Sequence, residues 1–419
     1  MKFSAVTLGC KVNQYDTQMM RELLGLFWEE AREGEGSGLV VVNTCVVTAE
    51  AERQSRQALR RARRGNRGAT VVAAGCLARI AGRSLVESGL ADKVAVSATP
   101  EAFIASLSLP VPPQKGRGIT GFAGRTRAFL KVQDGCDRRC TYCIVPLARG
   151  SSVSRSAEEV VSEAARLAAG GVPELVICGV RLNAYRDPGN GTGLYGLLSR
   201  VLDAAPCVRL RLSSVYPGKV EEGLLDLLTD HPRVCRHVHL PVQSGSEKIL
   251  KAMGRGYRAA DVAGLVARLR RRCPRIGLTA DVIVGFPGES ERDFGDTLGL
   301  VTECGFHQTH IFPFSPRPGT PAERMVPAVP DQAVRDRIRR LRVLDKELLL
   351  KSMLKMKASE AQVVVEKKVR DGFMSGLTDT YHRVKIKGTS ACGGILRTRI
   401  TGISGFDLVG VPAEGSGDE

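Results

Sequence analysis

Over the first hundred positions, short β-branched and aliphatic runs are each followed by a stretch whose apolar residues return every three or four places. Phe3–Leu8, Leu39–Asn43, Thr70–Ala74 and Lys93–Val96 read as strands, and Tyr15–Phe27 and Ala49–Arg64 as helices. That alternation predicts a parallel α/β sheet domain over residues 1–108. Residues 109–121 are rich in proline and glycine and read as a linker. The alternation then resumes with strands at Ala128–Gln133, Leu175–Gly179, Val208–Ser213, His237–Val242, Thr279–Val284 and His307–Phe314. Six such units predict an incomplete (βα)6 barrel within a core of residues 122–354. A long helical pattern runs from Asp331 to about Glu360. The period then changes to five short strands, Val363–Glu366, Phe373–Leu377, Arg383–Ile386, Thr398–Ile403 and Asp407–Val411. These predict a small β-barrel of the oligonucleotide-binding kind over residues 355–415, with a disordered tail from Ala413.

Charge adds a partner class. Lys and Arg number 61 against 44 Asp and Glu, a net +17 over 419 residues. Such an excess favours a polyanion, nucleic acid above all. Arg53, Arg56, Arg60, Arg61, Arg63, Arg64 and Arg67 crowd one helix; they form a solvated face or meet RNA phosphates. Arg335, Arg337, Arg339, Arg340 and Arg342 crowd the long helix in the same way. Lys367, Lys368, Arg370, His382, Arg383, Lys385 and Lys387 make the final β segment basic, with Phe373 and Tyr381 as possible stacking faces. No apolar run is long enough to cross a membrane, and no secretory signal is expected. Twelve cysteines in this length are too sparse for a disulfide scaffold, so a reducing, cytoplasmic setting is expected.

Six cysteines stand apart. Cys136, Cys140 and Cys143 lie within Asp134–Pro146 at a C-x3-C-x2-C spacing, after the first strand of the second series. Three thiolates do not complete a tetrahedral zinc site, and the nearest histidine, His231, is far away. They can hold three irons of a 4Fe–4S cluster and leave the fourth open; structural or zinc-binding cysteines are the alternative. Cys10, Cys45 and Cys76 each follow a predicted strand of the first domain. The carboxyl ends of strands in an open parallel sheet line one crevice, so these thiols should converge. They suit a second cluster or three buried structural cysteines. Cys178, Cys207, Cys235, Cys273, Cys304 and Cys392 have no ligand spacing and read as structural.

The C-x3-C-x2-C motif with Tyr142 before its last cysteine resembles the radical S-adenosylmethionine (AdoMet) superfamily, in which the open iron chelates AdoMet and one electron releases a 5′-deoxyadenosyl radical. The longer stretch to Arg149-Gly150 resembles the methylthiotransferases, which carry three further cysteines in their amino-terminal domain. Thr7–Asp16 resembles the branch acting on N6-threonylcarbamoyladenosine in tRNA, and the final β segment resembles the RNA-binding TRAM domain. The resemblance implies two 4Fe–4S clusters, on Cys136, Cys140, Cys143 and on Cys10, Cys45, Cys76. It also implies AdoMet contacts at Tyr142, Gly179, Asn183, Ser213 and Gln243, although Arg181 stands where the family has Asn or His. Gln243 belongs to His239-Leu240-Pro241-Val242-Gln243-Ser244-Gly245, in which His239, like His237 before it, reads alternatively as a satisfied core histidine, the commoner case for such residues. Glu289, after Asp281–Gly288, is expected to begin a helix.

The implied activity is methylthiolation of C2 of the adenosine 3′ of the anticodon, position 37. The implied partners are the tRNA anticodon loop, an electron donor such as flavodoxin or ferredoxin, and a sulfur donor. Isopentenyladenosine tRNA and a ribosomal-protein aspartate remain alternative substrates, and a non-catalytic zinc and RNA-binding protein is the alternative of another class.

Overall fold

The computed structural model describes residues 1–32, 35–96, 99–110, 118–218, 220–368, 372–388 and 393–413. The middle of the expected linker, residues 111–117, lies outside them, as do Cys392, Arg370 and the tail from residue 414.

The first sheet contains β1 (Lys2–Thr7), β2 (Glu29–Glu30), β3 (Leu39–Thr44), β4 (Thr70–Ala74) and β5 (Lys93–Ala95). All pair in parallel, in the order β2-β1-β3-β4-β5. Helices cover both faces, which is why every residue of β3 is buried. The two-residue edge strand β2 is too short to leave a pattern. Thr48 caps the arginine-rich helix Ala49–Gly65, its hydroxyl accepting from the Ala51 N–H.

The second series forms β6 (Arg127–Asp134), the antiparallel edge pair β7 (Val153–Ser154), β8 (Glu174–Gly179), β9 (Arg209–Leu212), β10 (His237–Gln243), β11 (Gly277–Val284) and β12 (Gln308–Pro313). Hydrogen bonding divides it into β7-β6-β8-β9 and β10-β11-β12. Parallel bridges at Leu210–Val234 and Ser214–His239 join the two pieces, so six parallel strands curve into an open barrel. Leu240, Val242, Ala280 and Val282 face the covering helices and are buried among them. By strand alternation His239 and Asp281 face the barrel interior.

Residues 118–121, the described end of the expected linker, are docked. Ile119 is buried and donates to Glu163, and Thr120 donates to Glu22 of the first domain.

The last segment is a closed barrel of β13 (Glu360–Lys368), β14 (Phe373–Thr378), β15 (Arg383–Lys387), β16 (Ile395–Ser404) and β17 (Asp407–Pro412), ordered β13-β14-β15-β17-β16. It seals the amino-terminal end of the open barrel. Arg209 and Arg211 on β9 pair with the buried Glu174 and donate to the carbonyls of Gln362, Thr378 and Asp379. A Cβ on Gly277, at the start of β11, would lie 2.1 Å from the Thr380 carbonyl. Tyr381 stacks on His237 with ring centroids 4.4 Å apart, and His382 stacks on His307 at 4.2 Å. Tyr381 and His382 therefore serve this junction and are not free to meet RNA; Phe406, half exposed, is a freer ring. Arg337 is likewise not part of a free basic face: it is buried and pairs with Glu289 at 2.7 Å. That pairing also corrects the expected role of Glu289. The helix begins at Glu291, with Ser290 and Asp293 forming a capping box.

Candidate active site

Local fastening builds the Cys136–Cys143 loop. Gly135 has φ +67°, and a Cβ there would meet the Ser151 carbonyl at 1.9 Å, so glycine is required. Gln133 Nε2 donates to the carbonyls of Asp134 and Gly135 and to Ser152 Oγ. Arg149 Nη1 clasps both oxygens of Asp134 at 2.7 Å. At the far side the Thr141 N–H donates to Met253 and the Ala322 N–H to Thr141. Arg255, which no spacing marks, donates to Cys140 Sγ at 3.4 Å and to the Tyr142 hydroxyl at 3.2 Å.

The other three thiols come together as the strand ends require. Cys10 starts the helix Lys11–Gly25, Cys45 follows β3, and Cys76 follows β4. A Cβ on Gly9 would lie 2.9 Å from Cys45 Sγ, which shows how closely the first two loops approach. Gly75 has φ +78°, and its Cβ would meet Asn43 Oδ1 at 2.1 Å. Asn13 Nδ2 donates to the carbonyls of Leu8 and Thr44, Asn43 Nδ2 to that of Asn13, and Thr44 Oγ1 to that of Ala74. One amide network thus ties all three loops.

All six are free thiols, and burial disfavours the bare thiolate at Cys45, Cys76 and Cys143. Burial, helped by the neighbouring cysteines, pushes Cys143 up to about 11 and Cys76 up to about 12. Bound iron reverses that penalty, because a coordinating thiol is deprotonated by the cation. Soft sulfur donors in threes, with no histidine or carboxylate among them, fit 4Fe–4S clusters.

A buried charge network joins the two trios. Lys131 Nζ lies 2.5 Å from Asp16 and 3.3 Å from Asp134. Arg149 Nη2 bonds Asp16 at 3.1 Å and also Asn13. Burial alone would raise Asp134, but Arg149 and Lys131 hold it below the usual carboxylate range. A cavity of about 680 Å³ opens beside this network, lined by Cys76, Lys131, Asp134 and Arg149.

Of the residues expected at AdoMet, Ser213 is buried and its Oγ has no hydrogen-bond partner. Gln243 ends β10 with φ +70°, a strained conformation of the kind that gathers at functional sites. Gly179 packs on Gln133, where a Cβ would lie 3.0 Å from Oε1. The Asn183 side chain is committed to the backbone of Tyr216, accepting from its N–H at 2.8 Å, so it shapes a loop. Arg181 lies over the Tyr216 ring, as do Arg138 and Arg255.

A model of the radical SAM superfamily matches residues 130–301, and one described as uncharacterized protein family UPF0004 matches residues 2–96. Threonylcarbamoyladenosine tRNA methylthiotransferase MtaB of Chlamydia pneumoniae is 36% identical, covering 97% of each chain. This chain belongs to the radical AdoMet tRNA methylthiotransferases. The MtaB of Thermotoga maritima is 34% identical over 98% of each chain. A tRNA-2-methylthio-N(6)-dimethylallyladenosine synthase of Jannaschia is 35% identical over 94% of this chain and 90% of its own. Among solved structures, the radical AdoMet methyltransferase TsrM of Kitasatospora setae, with cobalamin and a [4Fe-4S] cluster bound, aligns with a TM-score of 0.54. It covers 77% of this chain and 76% of its own at 20% identity, a likeness of fold. Membership makes the chain an enzyme with AdoMet and 4Fe–4S clusters as its cofactors. No helix among the described residues is long and apolar enough to cross a membrane.

Proposed function

We propose that this chain transfers a methylthio group to C2 of N6-threonylcarbamoyladenosine at position 37 of tRNA, in the cytoplasm. The observation that carries the reading is the pairing of two three-cysteine crevices, one on each sheet, through the Asp16–Lys131–Asp134–Arg149 network. The names of the full-length relatives support the nucleoside.

Cys136, Cys140 and Cys143 hold one 4Fe–4S cluster, and Cys10, Cys45 and Cys76 hold the other. An aromatic C–H bond resists ordinary acid, base and nucleophile chemistry; the bound clusters and AdoMet supply radical cleavage and a sulfur carrier. The protein's part is placement. Tyr142, Gly179, Ser213 and Gln243 would hold AdoMet, and Asn183 would act through the loop it ties. Ser213 Oγ gives a buried polar atom to a ligand that would otherwise leave it unpaired. Arg255 holds positive charge against Cys140 and orients the Tyr142 hydroxyl. The adenosine leaves its stack to enter, at low cost for an anticodon loop. Arg60, Arg61, Arg64 and Arg67, all exposed, meet phosphates. A flavodoxin- or ferredoxin-like protein supplies electrons and a separate donor supplies sulfur.

Nucleoside digestion and mass spectrometry of tRNA test the reading. Expression in a host lacking its own enzyme should restore methylthio-threonylcarbamoyladenosine. A gain only in methylthio-isopentenyladenosine, or in neither nucleoside, overturns the substrate.

A further inference from the structure

Three side chains from adjacent strands meet inside the open barrel, none of them a cysteine: His239 on β10, Asp281 on β11 and His310 on β12. His239 Nε2 lies 3.1 Å from Asp281 Oδ2, and His310 Nδ1 lies 3.1 Å from Asp281 Oδ1. The ligand atoms of all three lie within 4.8 Å of one another. Donors about 2.1 Å from one ion sit roughly 3 Å apart along an octahedral edge, so the two short separations suit a shared centre. Two imidazoles and one carboxylate on one face, with the opposite side open, are the donor set of mononuclear non-haem iron sites. Exposure of the side chains rises from 12% for His239 through 22% for Asp281 to 40% for His310, so the group is reached by solvent from the His310 side.

The surroundings also prepare His239 as a ligand. Its Nδ1 is 2.9 Å from Thr279 Oγ1, and the same hydroxyl is 2.9 Å from His237 Nε2. The Thr279 hydroxyl can accept from Nδ1, which would leave Nε2 free as the ligand atom once a cation replaces its proton facing Asp281. An outer hydrogen bond that fixes tautomer and ring angle is the usual companion of a metal-bound histidine.

We propose that His239, Asp281 and His310 form a binding site for one divalent first-row cation, separate from the iron–sulfur centres, whose open positions accept an oxygen-donor chelate. On the function proposed above, the carboxylate-bearing threonylcarbamoyl side chain of the target nucleoside is that chelate. The cation would then anchor the nucleoside inside the open barrel without redox chemistry of its own.

The test titrates Mn2+ into anaerobic holoenzyme with its clusters oxidised and diamagnetic, following free Mn2+ by its six-line EPR signal. Wild type should bind one equivalent, and Zn2+ should displace it, in keeping with the affinity order of these ions. Asp281→Asn and His310→Gln, each keeping the wild-type iron content, should weaken binding at least tenfold. A wild type that takes up neither ion, or an iron-replete variant that binds as wild type does, overturns the site. If one variant loses its iron, the other decides. An anticodon stem-loop bearing threonylcarbamoyladenosine should perturb the bound Mn2+ spectrum, and one bearing plain adenosine should not. Identical spectra overturn the chelate and leave the cation site standing, and neither result depends on turnover.

Discussion

The two cysteine crevices reach the same donor set by opposite routes. Cys136, Cys140 and Cys143 share one loop eight residues long, fastened by Gln133, Arg149 and the Met253 carbonyl. Cys10, Cys45 and Cys76 come from three separate strand ends, and only the order of β1, β3 and β4 brings them together. The first site is a local object that the barrel carries. The second is a property of a whole sheet, so it should be the more sensitive to distant damage and the slower to rebuild.

The sharpest way to separate them removes one thiol from each. Cys136→Ala should abolish AdoMet cleavage, whereas Cys45→Ala should keep cleavage and lose methylthio transfer; each should remove about half the iron. Equal loss of cleavage in both would erase the distinction. Next is the buried network between them. Arg149→Met leaves Asp16 and Asp134 to share Lys131 alone, at a cost of about 2–3 kcal/mol, read as a lower midpoint in denaturant. A shift under 1 kcal/mol would mean that the crevices are held together by something else.

Acid should act on neither crevice first. Burial lowers His382, at the junction with the C-terminal barrel, to about 4. Its folded value lies below its unfolded one, so the stability it contributes is full above about pH 6.5 and fades as pH falls toward 4, by about 3 kcal/mol in all. The far junction should loosen, seen as protease sensitivity of residues 355–413, while iron content holds. A His382→Phe variant should make that pH profile shallower, the buried His237 and His307 of the same junction keeping the rest. Smaller again, Gly75→Ala places a Cβ against Asn43 in a left-handed backbone, for roughly 1–3 kcal/mol, and should lower only the iron of the dispersed site. Gly135→Ala should do the same to the local one.

The same contrast explains what could be read in advance. The C-x3-C-x2-C spacing carries its own geometry, and the cysteines after β1, β3 and β4 are legible because parallel sheets gather strand ends. The six strands of the open barrel and the five of the closed one follow from their periods. The bond from Lys131 to Asp16 is not legible, because the partners lie 115 residues apart and nothing in the segment around Cys10 points to a lysine on β6. Arg255 has no periodic signal for its place beside Cys140. Tyr381 looks like a free aromatic in its own strand pattern; only the docking of two barrels reveals His237 beneath it. Glu289 follows a glycine turn as a helix start would, yet the buried Arg337 claims it.

The seal across the amino-terminal end of the open barrel has a dimensional consequence. β6 is eight residues long, roughly 26 Å from that floor to the cysteine loop at its other tip. Guanidinium–carbonyl clasps keep the floor from swinging upward. Any molecule gripped at both extremities must therefore be long enough to wrap the flank of the barrel, and a lone nucleoside can touch one extremity only. Reach itself becomes a criterion of selection, a ruler written in strand length.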